Sequence, residues 1–198
     1  MAIRTFLALE LNDATRQRLV RAVADLPAGE AKIRWVESEN LHVTVKFLGE
    51  VGDADAANVC RMVAAAAGLI EPLDFQVRGI QAVPAHGNLS MFWAGVADLE
   101  GRMAAMFEVF EAALEELGFP REQREFHPHV TLGRVKYARD ARTLRAAAGR
   151  MAEADFGCVA ADEIVVFSSQ LTPDGPVYAP MGRGPFAPPR AGGGGGGQ

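Results

Sequence analysis

No apolar run in this sequence approaches the about eighteen residues a helix needs to cross a bilayer. The start, Met1-Ala2-Ile3-Arg4-Thr5-Phe6, also lacks the long apolar segment and small-residue cleavage site of a secretory signal. A cytoplasmic protein with no membrane partner is the expectation. Cysteine is scarce: Cys60 and Cys158 stand apart in apolar surroundings, without CxxC or Cys/His spacing, and read as small buried hydrophobes rather than a disulfide or zinc site. Basic residues are not in excess, with 20 Lys+Arg against 25 Asp+Glu and a net charge of −5. That balance argues against a broad basic surface coating long duplexes. The local cations Arg34, Lys46, Arg134 and Lys136 are still enough to hold a small phosphate.

The 198 residues, 49% hydrophobic and 23% charged, suit one globular domain of ordinary size. Ile3–Leu9 reads as a strand, followed by a helix capped at Asn12 or Asp13 with Leu19, Val20, Val23 and Leu26 on its apolar face. Lys32–Val36 is a short strand that could form a hairpin with the strand starting at Leu41. Asp53 can cap a helix bearing Val59, Met62, Val63, Ala66, Ala67 and Ile70. Two strands, Phe75–Val83 and Leu89–Val96, precede a helix from about Leu99 to Leu117, whose Met103, Met106, Phe107, Phe110 and Leu114 stripe reads as core. A helix over Ala141–Met151 leads to strands Phe156–Val159 and Glu163–Leu171 and a short edge at Val177–Pro180. The segment from Pro185, rich in proline and then glycine, reads as a tail without core, so the domain is placed at residues 1–186 and a disordered tail at 187–198.

The informative feature is a repeat. Leu41-His42-Val43-Thr44-Val45-Lys46-Phe47-Leu48-Gly49 returns in altered form as His129-Val130-Thr131-Leu132-Gly133-Arg134. Side chains alternate along a strand, so His42 and Thr44 share one face and Val43 and Val45 the other, and likewise in the second copy. Each copy has an apolar back and a front offering an imidazole and a hydroxyl. One His-Val-Thr alone would be a strand with a hydrogen-bonded histidine; two of the four histidines opening the same pattern point to a shared site. A histidine pair can keep one ring neutral and one cationic near neutral pH, as acid–base displacement at phosphorus requires. Thr44 and Thr131 can donate to the phosphate oxygens.

The neighbours are weaker candidates. Phe47 alternates with His42 and is expected in the core, although an aromatic there could stack a base. Lys46 falls on the His42 face and reads equally as an attractor of RNA phosphates or a solvated lysine. His127 has the parity of His129 but no threonine partner and reads as a surface histidine at the cleft rim. His86 is expected in solvent and Trp93 in the core.

Together, Arg34-Trp35-Val36, the two motifs, Phe126-His127-Pro128 and the stretch from Ser169-Gln170-Leu171 to Gly175-Pro176-Val177-Tyr178 resemble the 2H phosphoesterase superfamily. Within it the chain is most similar to the RNA 2′,3′-cyclic phosphodiesterases, also called 2′-5′ RNA ligases. The resemblance implies a mixed α/β (α+β), bilobal fold: two pseudo-symmetric lobes with antiparallel sheets forming a concave cleft, and helices outside. It implies hydrolysis of a terminal 2′,3′-cyclic phosphate to a 2′-phosphate with no metal or other cofactor, on RNA ends or small nucleotides, without an obligate protein partner. By position, His42 would be the acid protonating O3′ and His129 the base, with Thr44, Thr131 and Arg134 holding phosphate. Arg134 reaches that face only if the strand bends at Gly133. The reverse ligation, other cyclic-nucleotide substrates and a non-catalytic RNA-end-binding module remain alternatives.

Overall fold

The computed structural model describes residues 2–27, 29–98, 100–173 and 175–188. Strand β1 (Ala2–Glu10) leads into α1 (Asp13–Ala24), where Asn12 Oδ1 accepts from the Thr15 N–H at 2.9 Å and so satisfies an otherwise unpaired first-turn donor. Then come β2 (Lys32–Trp35), a single 3-10 turn at Ser38–Asn40 and the first motif strand β3 (His42–Gly52). Helix α2 (Asp53–Ala67), strands β4 (Leu73–Val83) and β5 (Met91–Ala97) and helix α3 (Arg102–Glu115) follow. The Asp98 carboxylate caps α3 by accepting from the N–H groups of Arg102, Met103 and Ala104. The second motif strand β6 (His129–Tyr137) precedes α4 (Ala141–Arg150), β7 (Asp155–Ala161), β8 (Glu163–Thr172) and β9 (Gly175–Pro185). No helix among the described residues is long and apolar enough to cross a membrane.

The strands form one antiparallel sheet in the order β7-β4-β5-β6-β3-β1-β8-β9, with β2 also paired to β6. At its middle, β3 and β6 share a single residue pair, Val43 with Val130, whereas β1 pairs with β3 along nine residues. The sheet is therefore two wings hinged at the two motifs. Helices α1 and α4 pack on β7 and β4, and α2 packs on β8 and β9 as well as on α3. The side chains between helices and sheet form the core, including Leu7, Leu9, Val43, Phe75, Phe92, Val130 and Leu132. Each wing takes strands from both halves of the chain, because α1 carries the chain from β1 across to the β7 side. The lobes are thus not two consecutive sequence halves.

Several expectations change. Strand β2 pairs with β6 and not with β3, because the 3-10 turn redirects the chain and the Val36 N–H reaches the Leu132 carbonyl at 2.8 Å. The edge expected at Val177–Pro180 is the eleven-residue β9. Beyond it Phe186 is buried, and the Phe186 and Ala187 N–H groups donate to the carbonyls of Asp162 and Ile70, so the fold runs through Ala187. The rest of the expected tail, from residue 189 on, lies outside the described residues. Gly52, rather than Asp53, is the N-cap of α2. Val20 and Cys158 are exposed, and Cys60 is half-buried.

The largest departure is a bulge repeated in both motif strands. Leu7 pairs with Lys46 and Ala8 with Thr44, leaving Val45 as an extra residue; Phe92 pairs with Gly133 and Trp93 with Thr131, leaving Leu132 extra. A bulge puts two consecutive residues on one face and inverts the parity beyond. Val45 and Lys46 are both buried, and Phe47 swings out to 71% exposure. Lys46 is accordingly neither solvated nor a phosphate attractor. Its ammonium pairs with Glu111 of α3 and donates to the Pro120 carbonyl at 2.9 Å, while the other Glu111 oxygen accepts from the Glu122 N–H at 2.7 Å. The equivalent of Lys46 in β6 is Gly133, where an added Cβ would lie 2.4 Å from the Trp35 ring.

Lys46→Met alone should cost about 3–5 kcal/mol in denaturant unfolding, because Glu111 is left buried without its counter-charge. Lys46→Met combined with Glu111→Leu should recover most of that loss.

Candidate active site

Two structural rules position the histidines. The antiparallel register around Val43 and Val130 sets His42 and Thr44 of β3 beside Thr131 and His129 of β6 on one face of the hinge. Each ring is then held by the backbone carbonyl two residues before it: His42 Nδ1 lies 2.7 Å from the Asn40 carbonyl, and His129 Nδ1 lies 2.8 Å from the His127 carbonyl. A carbonyl only accepts, so in both rings Nδ1 carries the proton and Nε2 is the atom that exchanges one. In the neutral His42 ring, Nε2 accepts from the Thr44 hydroxyl at 3.0 Å.

The two rings have different surroundings. His42 sits among Phe6 at 5.0 Å, Tyr178 edge-on at 5.4 Å and Phe167 at 6.4 Å between ring centroids. Burial there disfavours the charged ring and holds its pKa below the ordinary 6.5; the Asn40 carbonyl opposes this, the nearby His129 adds to it, and Glu10 opposes it. His129 packs against Trp93, with ring centroids 4.3 Å apart. Trp93 is half-buried on the cleft face, paired with Thr131, and not in the core as its strand position suggested. The Tyr178 phenol is pushed up by burial, partly offset by Arg134 and Arg4.

Beside the histidines a cavity of about 520 Å³ is lined by His42, Thr44, Phe47, Thr131, Arg134, Tyr178 and the arginines Arg4 and Arg34. His129 is not among the residues that line it. The bulge at Leu132 and Gly133 supplies the bend that Arg134 needed, and the same device brings Phe47 out of its expected core position into the cleft. Phe47 and Arg134 thus occupy matching places, five residues after each histidine. His127 is exposed beside Glu125 and contributes its carbonyl rather than its ring. His86 is exposed, as expected.

The sequence matches the family described as LigT like Phosphoesterase over residues 9–93 and 95–178. The chain belongs to the LigT-like phosphoesterase family. Within it, the RNA 2′,3′-cyclic phosphodiesterase of Methanothermobacter thermautotrophicus is 31% identical over 181 residues, covering 91% of this chain and 97% of that protein. The protein of the same name from Aeropyrum pernix is 33% identical over 161 residues, covering 81% and 90%. A crystal structure of a Thermus thermophilus protein superposes with a TM-score of 0.79 at 25% identity, covering 94% of this chain and 99% of that one. E. coli LigT complexed with 3′-AMP superposes at 0.74 and 19% identity, covering 94% and 99%, which is agreement of fold.

Beyond the two motifs, the site contains residues that pattern reasoning did not assign. Phe6 and Phe167 carried no signal beyond strand propensity, because only the sheet order brings β1 and β8 beside His42. Tyr178 stood in a stretch that supported the resemblance but had no role of its own.

By NMR titration, His42 should titrate below 6.5 in the free protein. His129→Ala should raise that midpoint, because a like charge is removed, yet leave it below 6.5, because burial is the larger cause. A midpoint unmoved by the substitution would show that the two rings do not interact.

Proposed function

We propose that this protein hydrolyses terminal RNA 2′,3′-cyclic phosphates to 2′-phosphates by metal-independent acid–base catalysis with His42 and His129. The observation that carries this reading is the single-pair bridge of Val43 with Val130, which gathers both His/Thr pairs at one hinge. The names of the curated relatives support the substrate class.

In the reaction, His129 Nε2 takes a proton from water as the water oxygen bonds to phosphorus. On the opposite side the P–O3′ bond breaks, and O3′ takes a proton from His42 Nε2. The products are a 2′-phosphate and a free 3′-hydroxyl. Thr44, Thr131 and Arg134 donate to the equatorial oxygens, where the charge resides. Phe47, exposed at the cleft, offers a face on which the terminal base stacks. The assignment of acid to His42 and base to His129 follows the family resemblance.

Burial of His42 shapes the timing. With its pKa depressed, the ring is neutral in the free protein near neutral pH, and its Nε2 is occupied by Thr44. An anionic phosphate beside it favours the charged ring, so proton uptake accompanies substrate binding. Thr44, released as an acceptor of the ring N–H, can then turn its own hydrogen toward phosphate.

His42→Ala and His129→Ala should each lower kcat by about 10²- to 10⁴-fold on an RNA with a cyclic phosphate end, with EDTA leaving the wild type unaffected. Turnover unchanged in either variant would refute the acid–base pair. The pH profile of kcat/KM, which reports the free enzyme, should be bell-shaped, with the limb set by His42 below 6.5 and shifted upward in kcat. A monotonic profile would remove one of the two titrating groups from the mechanism.

A further inference from the structure

We propose that Arg34, with Arg4, forms a second phosphate subsite beside Arg134 that holds the phosphodiester preceding the terminal nucleotide, making the cleft selective for oligonucleotide ends over mononucleotides. This rests on the cyclic-phosphate reading above.

The first observation is a like-charge pair. In the β2/β6 register Arg34 stands directly opposite Arg134, and two cations so placed repel. Both line the cavity, and Arg4 lines it from β1. Among the described residues Glu37 is the sole carboxylate-bearing one in that lining.

The second observation is the pairing of arginines elsewhere. Arg16, Arg78, Arg102, Arg121, Arg139 and Arg183 each meet a carboxylate, and Arg18, Arg61 and Arg145 bond to neutral groups at separate places on the surface. Among the described residues none of Arg4, Arg34 and Arg134 does, although Glu50 lies opposite Arg4 in the β1/β3 register. In a chain with net charge −5, three arginines that meet no carboxylate among the described residues converge on one concavity, where low-dielectric walls focus their field on an anion.

The three guanidiniums come from three different strands, β1, β2 and β6, and together can meet more than one phosphate. Arg134 follows Thr131 on the same strand and belongs with the reacting phosphate; Arg34 lies one strand further out, where the chain 5′ to the terminal nucleotide would run. Arg34 Nη2 donates to the Pro173 carbonyl at 2.9 Å, which orients the group across the β8–β9 turn. A guanidinium has five donors, and this bond uses one of them.

The test compares adenosine 2′,3′-cyclic phosphate with a dinucleotide ending in the same group, and with that dinucleotide carrying a neutral methylphosphonate linkage. Wild-type kcat/KM should favour the charged dinucleotide by about ten- to a hundredfold, with the neutral linkage losing that preference. Arg34→Gln and Arg4→Gln should each shrink it and lower the salt dependence on the dinucleotide by about 0.7 in log–log slope. Equal kcat/KM for the mononucleotide and both dinucleotides would overturn the subsite and leave the cyclic-phosphate reading standing. Equal losses on both charged substrates in Arg34→Gln, with a lowered Tm, would make Arg34 a tether for the turn and also overturn it. Absence of turnover on every cyclic phosphate would instead refute the underlying reading.

Discussion

The contact between Val43 and Val130 is the constraint on which the site depends. Two extended antiparallel wings could be joined along a full ladder, which would flatten the sheet and stack the motif side chains in a row. One pair holds them instead, and the wings diverge on either side of it. The concavity, the proximity of the two histidines and the shared face of the two threonines follow from that short seam. The two valines are fully buried, so the hinge is anchored from the core side while its other face remains polar.

The bulge beyond each threonine is the second shared device. It adds one residue on the core face and so turns the following side chain outward, giving Phe47 in one wing and Arg134 in the other. The wings are alike in backbone and unlike in chemistry: an aromatic surface on the β3 side and a cation on the β6 side. Their inward residues also differ. Lys46 ties β3 to Glu111 and, through it, to the loop at Glu122 that leads toward the second motif. Gly133 leaves room for Trp35, which seats β2 and with it Arg34.

His42 and His129 share sequence context and the carbonyl that orients Nδ1, yet they are set apart by what surrounds them. Phe6, Phe167 and Tyr178 enclose His42, whereas His129 leans on a single indole at the edge of the cleft. Two rings of one residue type are thus held in unlike surroundings, one enclosed and one at an edge. The difference arises from β1, β8 and β9, strands that carry no motif histidine.

Much of the site was legible before the fold was known. The repeated His-x-Thr fixes a shared face because a period-two strand must place its imidazole and hydroxyl together, and the apolar residues between them must face a core. Most helices and strands were also legible, since their apolar spacing and caps are local properties. Parity beyond a bulge was not. Lys46 and Phe47 were placed on the wrong faces because the extra residue is created by pairing with β1, a partner distant in the chain. The same holds for the place of β2, the core role of Phe186 and the enclosure of His42. The amino-acid sequence by itself determined that each histidine shares a strand face with the threonine two residues on, because that alternation is local. Only the tertiary structure decided which strands lie side by side, and hence register, burial and the arginines of the cleft, because those depend on contacts between segments far apart along the chain.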